Sequence, residues 1–566
     1  MRAEDNWNSL PALMLGLARS WPDRPMLRFW RGGGWRSLSW AEFALQVADV
    51  AAGLRARGVC PGDRVMLVAE NRPEFLVADT AIMAIGAVSV PAYTTNTVAD
   101  HAHLLRDSGA RCAIVSTTRL AQAVAEAAGL GGLDLLISME DGAGTVSWAE
   151  LTAVQGDLAM LVAEVEHIPA GRLACLIYTS GTGGPPKGVM LPHRAMLANR
   201  QGIAGFIRRL GLPRDACYLS FLPLSHAYEH TVSYLLCSFG MEIVFSRGAE
   251  RLAAELTDIR PQVVTAVPRL FEVLRARILA LVEKQKPWQR RLFERALRLG
   301  LRRLDGPPLG ALERLEDAVL ERLVRRRIQA RFGGRLAALV SGGARLDPEL
   351  SGFFMAMGLP VLQGYGQTEA GPVISVNVPW ENNRHAVGRP LPGVTLRIAE
   401  DGEVVIRGPL VMDGYWNNPE ATAQALRTEG GEVWLHTGDV GEMVGPALRI
   451  TDRKRDFIKT LGGDMVSPAR IESLLMAEPA ITQAVVAGEG RPGIAALLVP
   501  AEGTAEAALA EAVRRVNGKL SGVERIRHFA TVAPFTVENG QLTPTMKIKR
   551  RVVLKDHAAK LDQLYG

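Results

Sequence analysis

Tyr178-Thr179-Ser180-Gly181-Thr182-Gly183-Gly184-Pro185-Pro186-Lys187-Gly188 is a stretch of hydroxyls and glycines that ends in one lysine and directly follows the apolar run Leu173 to Ile177. Those residue types suit phosphate. Gly181 and Gly183 let main-chain N–H groups approach an anion, the Thr179, Ser180 and Thr182 hydroxyls donate hydrogen bonds, and Lys187 supplies positive charge. A Walker A loop is excluded, because Pro186 precedes Lys187 and Gly188 follows it, where that motif needs Gly and then Ser or Thr. An ordinary Gly-Pro turn is the competing reading. Other segments of the chain decide between the two.

TSGTGGPPKG, continued by Val189-Met190-Leu191-Pro192-His193, resembles the signature loop of the adenylate-forming (ANL) superfamily, which contains acyl-CoA synthetases, peptide-synthetase adenylation domains and luciferases. Further segments match in the family's order and span most of the chain. The resemblance implies that a carboxylate oxygen attacks the α-phosphorus of ATP while pyrophosphate leaves. Both reactants are negative, so charge neutralisation is the main task of the site. On this reading Thr179, Ser180, Gly181, Thr182, Gly183 and Lys187 hold the nucleotide's phosphates.

Gln363-Gly364-Tyr365-Gly366-Gln367-Thr368-Glu369 resembles the family's second nucleotide motif. The resemblance puts Tyr365 against adenine, the Thr368 hydroxyl on the α-phosphate and Glu369 on Mg²⁺, and the residue types suit those tasks. Ser341-Gly342-Gly343-Ala344 follows a predicted strand end, where α/β folds bind ligands, and resemblance sets Gly343 and Ala344 beside adenine and acyl group. Most relatives carry Pro or a small residue where this chain has Arg345. Asp439, in Thr437-Gly438-Asp439, matches the aspartate that accepts from both ribose hydroxyls, and Arg453 the arginine that supports ribose and phosphates. Arg455 aligns with the hinge position, where a polar linker residue absorbs a change in φ/ψ. In Leu542-Thr543-Pro544-Thr545-Met546-Lys547, Lys547 matches the adenylation lysine, and Gly462-Gly463-Asp464 resembles the loop that presents coenzyme A. One site can serve both half-reactions only if the C-terminal unit reorients between them.

Phe221-Leu222-Pro223-Leu224-Ser225-His226-Ala227-Tyr228-Glu229-His230 resembles the acyl-site motif of long-chain fatty acyl-CoA synthetases, with His226 at the carboxylate end. Asn71-Arg72-Pro73-Glu74, Val267-Pro268-Arg269-Leu270-Phe271-Glu272 and a helical insertion up to Phe332-Gly333-Gly334-Arg335 resemble the same branch. The expected activity is therefore long-chain fatty acid:CoA ligation with Mg²⁺, ATP and CoA. Three alternatives stay open: a medium-chain or aromatic acid as substrate, an acyl carrier protein as acceptor in place of CoA, and a non-catalytic lipid or nucleotide binder. Retention of Lys187, Glu369, Asp439 and Lys547 argues against the last, since a binder needs no adenylation lysine.

The 566 residues, 48% hydrophobic, exceed one ordinary core and call for two or more globular units. Five scattered cysteines, without CxxC or zinc spacing, read as reduced structural thiols in apolar or helical settings. Residues 1–21 carry acids and lack a charged-then-apolar leader, so a cytoplasmic protein is expected. Phe75 to Tyr93 has the length of a membrane span, but Asp79 lies inside it, and Gly86 with Ala87 to Pro91 suggests a buried helix turning into a strand. Residues 275–331 hold 16 Lys or Arg against 7 Asp or Glu, with Trp288, Leu292, Phe293, Ala296, Leu297, Leu299 and Leu301 alternating with arginines. This pattern fits a solvated basic helix or a peripheral contact with an anionic membrane; nucleic acid is not an expected partner.

Short apolar strands alternate with helical segments through the first two-thirds, which argues α/β layering. Thr395 to Ile398 and Glu403 to Arg407 read as a hairpin around Asp401-Gly402, within a β-rich subdomain at about 388–450. The expected fold is α/β: a large N-terminal domain, residues 1–454, of layered α/β subdomains plus the β-rich one, and a small mobile α+β C-terminal domain, residues 455–566. Gly488-Glu489-Gly490-Arg491-Pro492-Gly493 satisfies GxGxxG, yet a proline and a second strand follow where a dinucleotide site needs a helix, so it reads as a hairpin turn.

Overall fold

The computed structural model describes residues 7–129, 132–140, 142, 144–179, 185–248, 250–454, 457–462, 464–543 and 547–565. Two large sheets carry the N-terminal part. The first has seven strands in the order Val146–Ser147, Leu135–Ser138, Cys112–Val115, Arg64–Val68, Val88–Ala92, Leu173–Thr179 and Lys187–Pro192. Neighbours are parallel except the last pair, an antiparallel hairpin whose connection is the glycine-rich stretch. Strands buried on both faces read as continuous apolar runs, as in Val65, Met66, Leu67 and Val68, all fully buried.

The second sheet has nine strands, with a parallel centre of Val361–Gly366, Ala338–Ser341, Val263–Ala266, Cys217–Ser220, Glu242–Phe245 and Pro25–Arg31. Pro73–Ala84 is a helix buried all round; Gly86, at φ +76, lets the chain reverse into Val88–Ala92 as expected. Among the described residues no helix is long and apolar enough to cross a membrane.

A five-stranded antiparallel sheet follows, pairing Thr395–Ile398 with Glu403–Arg407, then Glu432–Val444, which also pairs Leu426–Glu429 and Ala447–Arg453. The C-terminal part has its own three-stranded sheet of Ile481–Ala487, Ile494–Pro500 and Ile526–Thr531. Strand alternation gives that sheet two separate cores: Ala496 and Leu498 pack with Leu475 and Val516 on one face, Leu497 and Val499 with Phe535 and Val553 on the other. The Gly488–Gly493 segment joins antiparallel strands and is a hairpin turn, not a dinucleotide site.

The basic insertion forms helices Pro268–Glu283, Pro287–Asp305 and Ala311–Leu320, the last continuing through a π-helical turn, Glu321–Arg325, into Arg326–Arg331. The apolar face of Pro287–Asp305 is turned inward. Phe293, Ala296, Leu299 and Gly300 pack on Pro348–Ala356, and a β-carbon on Gly300 would sit 2.4 Å from the Ala356 carbonyl oxygen, so only glycine allows that approach. The exposed apolar stripe lies instead on the next helix, at Leu312, Leu315, Val319 and Leu323. Arg325 is wholly buried at the π turn, donating to the Ala296 and Ala356 carbonyls and to Asp317 Oδ1 at 2.6 Å. Four cysteines are buried free thiols; Cys60 differs, being exposed in the turn before Arg64–Val68.

Candidate active site

Strand C-terminal ends from both sheets and several elements of the C-terminal unit, the Lys547 loop among them, converge on a cavity of about 2070 Å³. That volume exceeds a typical small-molecule pocket because a polar cleft, an apolar arm and the space between the two units run together. Thr179 ends the strand Leu173–Thr179 and Lys187 begins its hairpin partner, and both face the cavity. Ser180, Gly181, Thr182 and Gly183 lie outside the described residues, as do Arg455 and Gly463.

Gly343, at φ +77, follows Ala338–Ser341 and lines the cavity, whereas Ala344 and Arg345 are exposed and off its wall. Gly364, Tyr365, Thr368 and Glu369 line it from the end of Val361–Gly366 and the short 3₁₀ turn beyond; Gln363 is buried just behind. Tyr365 Oη donates to Asp439 Oδ2 at 2.7 Å, and Arg453 Nε stands 3.3 Å from Asp439 Oδ1. Strand register explains the second contact, since Asp439 and Arg453 are direct partners across Glu432–Val444 and Ala447–Arg453. Burial, then the Asp439 carboxylate, pushes the Tyr365 phenol well up, so it acts as a neutral donor.

His226 caps the helix Ala227–Ser238. Its Nδ1 accepts from the Tyr228 N–H at 3.1 Å, which assigns the ring proton to Nε2. Burial, then the Lys547 ammonium, pushes His226 down to about 3, so the ring is neutral at physiological pH. Tyr228, inside the same motif, donates to the Val340 carbonyl at 3.1 Å and walls the cavity opposite Gly342.

Lys547 arrives from the other end of the chain. Its loop is closed by the Thr543 N–H donating to the Lys547 carbonyl at 2.7 Å and by the Lys547 N–H donating to Thr543 Oγ1 at 3.0 Å. Burial, then Arg453, pushes the ammonium down to about 8, against the pull of Asp439 and Glu369. Gly462 is exposed and does not line this cavity.

Two further residues carry the arrangement without having been read from the sequence. Tyr415 Oη donates to Glu369 Oε1 at 2.8 Å while Lys187 Nζ lies 5.0 Å from its ring centroid. Glu229, next to Tyr228 in the His226 motif, is fully buried and accepts from Tyr218 and Ser220, each at 2.5 Å, and from Thr265 at 2.8 Å. A tyrosine after Gly414 had no spacing to mark it, and Glu229, although inside the His226 motif, carried no role there.

Among the described residues no three His, Cys, Asp or Glu side chains gather, and Glu369 stands on the cavity wall next to Thr368 as a single carboxylate. A single carboxylate open to a polyphosphate fits Mg²⁺, which is commonly held by one or two carboxylates together with substrate phosphates.

The model of AMP-binding enzymes matches residues 17–416, and that of the AMP-binding enzyme C-terminal domain matches residues 455–566. Long-chain-fatty-acid--CoA ligase FadD15 of Mycobacterium bovis is 34% identical, with 99% of this chain and 97% of that protein covered. Long chain acyl-CoA synthetase 7, peroxisomal, of Arabidopsis thaliana is 30% identical over 94% of this chain and 82% of that protein. Among solved structures, the anthranilate CoA ligase AuaEII in complex with anthranoyl-AMP shares the fold at a TM-score of 0.76, with 21% identity and 100% of each chain covered. The large N-terminal and small C-terminal domains found here are thus those of a known architecture, and the chain belongs to the family of AMP-binding enzymes.

Proposed function

We propose that this protein is an ATP-dependent long-chain fatty acid:CoA ligase, which forms a fatty acyl-AMP with release of pyrophosphate and then passes the acyl group to coenzyme A with release of AMP. One observation carries the reading. The cavity that holds Lys547, Thr368 and His226 continues, without a break, into an apolar arm lined by Ile203, Phe206, Ile207, Leu235 and Leu236. Ala338 and Val340 line it along the strand Ala338–Ser341, which spans roughly 10 Å at strand rise below Gly343. Such an arm solvates an extended alkyl chain; a short or aromatic acid would leave most of it unfilled.

Each side chain then has a task. Lys187, with Thr179 and the loop beyond it, holds the terminal phosphates; Tyr365 packs on adenine; Asp439, fixed by Tyr365 and Arg453, takes the ribose. His226, neutral and with its proton on Nε2, donates to the fatty acid carboxylate or the adenylate carbonyl. Lys547 and Thr368 meet the charge that builds between carboxylate and α-phosphate. Magnesium, held by Glu369, would neutralise phosphate charge when bound. For thioester formation the unit 455–566 reorients about Arg455, withdrawing Lys547 and bringing Gly462 and Gly463 to the opening.

We infer also that the protein sits on anionic membranes, where its insoluble substrate partitions. Support comes from the exposed Leu312, Leu315, Val319 and Leu323 beside exposed Arg322, Arg326 and Arg327, an apolar stripe with a basic end. The test of the main reading is isotope exchange from labelled pyrophosphate into ATP across acids of rising chain length, followed by thiol consumption with CoA or with a carrier protein. Exchange that peaks at long chains and consumption of CoA support it. Exchange confined to short or aromatic acids, or acyl transfer to the carrier alone, moves the assignment to those alternatives; wild-type protein with no exchange for any acid ends it.

A further inference from the structure

The main chain of 412–416 is tied to both phosphate-side elements. Met412 N–H donates to the Glu369 carbonyl at 2.9 Å, while Met190 N–H donates to the Gly414 carbonyl at 2.9 Å and Trp416 N–H to the Gly188 carbonyl at 2.8 Å. Val189 and Tyr415 complete an antiparallel bridge. The segment therefore runs beside the strand that Lys187 begins and also grips the turn that bears Glu369. From this frame the Tyr415 hydroxyl reaches Glu369 Oε1 at 2.8 Å, and the ring presents itself to Lys187 Nζ, 5.0 Å from the centroid.

We propose that Tyr415 is a positioning residue that fixes the spacing between the Lys187 ammonium and the Glu369 carboxylate, so that a nucleotide triphosphate and its magnesium are met in register. This rests on the assignment of Lys187 and Glu369 to triphosphate and metal made above. The ring face attracts the ammonium through its quadrupole, which holds the lysine near the cleft before nucleotide arrives. The hydroxyl occupies one carboxylate oxygen and orients the other, an arrangement that a charge-assisted hydrogen bond makes directional. The two contacts use different parts of one side chain and can be removed separately.

Tyr415→Phe deletes the hydroxyl and keeps the ring; Tyr415→Leu deletes both. Calorimetric titration of ATP, first without metal and then with magnesium, reads the two contacts apart from turnover. Tyr415→Phe should bind metal-free ATP like wild type but need roughly 3- to 10-fold more magnesium for half-saturation of the metal-dependent phase. Tyr415→Leu should add roughly a 2- to 5-fold loss of metal-free ATP affinity. KM for fatty acid in pyrophosphate exchange should stay unchanged in Tyr415→Phe. Wild-type magnesium dependence in Tyr415→Phe would overturn the proposal, as would a fatty acid KM that rises in step with the nucleotide effect, the mark of a merely structural tyrosine. Wild-type protein without magnesium-dependent ATP binding would overturn the underlying site reading, and the proposal with it.

Discussion

Lys547 stands against Gly343: a β-carbon on that glycine would lie 3.9 Å from the lysine Cε and 4.0 Å from its Nζ. The two ends of the site, one on a central strand end and one on the last loop of the C-terminal unit, are therefore in contact in this arrangement. With the ammonium pushed down to about 8 by burial and by Arg453, its charge is present below that pH and lost as pH rises through it. The kcat/KM profile of pyrophosphate exchange should accordingly fall with a break near pH 8, a limb that thioester formation from supplied acyl-AMP should lack. An exchange profile still flat well above that point would contradict the assignment.

Glu229 predicts a stability effect. Burial pushes its carboxyl up to about 7, although Ser220, Tyr218 and Thr265 all hydrogen-bond to it. A raised value means that the folded chain keeps a proton which the unfolded chain, at 4.5, has released. Stability from this group is thus full below about 4.5 and is lost as pH rises toward 7, by roughly 3 kcal/mol for a shift of that size. Glu229→Gln stays uncharged, so its Tm should decline less than wild type between about pH 5 and about pH 8. Parallel declines in scanning calorimetry would refute this.

Arg325 predicts a larger one. Its guanidinium is enclosed among Asp317 and two helix carbonyls, so Arg325→Ala takes the Oδ1 donor from a buried carboxylate that is still paired with Arg303 at Oδ2, 3.2 Å away, and strips the guanidinium donor from both carbonyls. The expected loss is about 3–5 kcal/mol by denaturant titration, with Arg325→Lys recovering only part because it lacks the planar fork. A loss under about 1 kcal/mol would mean that water replaces the side chain freely.

The exposed stripe of the insertion carries the membrane inference. Leu315→Glu with Leu323→Glu should abolish sedimentation with phosphatidylglycerol vesicles while exchange with a detergent-solubilised fatty acid persists. Wild-type sedimentation that ignores anionic lipid and salt, or a double variant that sediments as before, would remove the inference.

Much of this arrangement could be read along the chain. The strands at Thr395 to Ile398 and Glu403 to Arg407 fall where the sequence suggested, because alternating runs around a turn such as Asp401-Gly402 are local signals. Lys187, Tyr365, Asp439 and Lys547 were legible through family motifs, and all four line one cavity. What escaped was set by distant packing. Tyr415 matters through Lys187 and Glu369, neither of which is near it in sequence, and the outward stripe at Leu312 to Leu323 became distinct from the inward one at Phe293 to Leu299 only once the helices had packed. Ala344, expected beside adenine and acyl group, is exposed and not among the residues that line the cavity, and motif position gave no sign that the chain turns outward after Gly343.

The central claim is that one lysine from the C-terminal unit completes an adenylation site built by the N-terminal domain. Pyrophosphate exchange and thioester formation from supplied fatty acyl-AMP, measured side by side in Lys547→Ala, test it most directly. Exchange should fall by roughly 10²- to 10³-fold while thioester formation stays close to wild type. Equal loss of both steps would contradict the account.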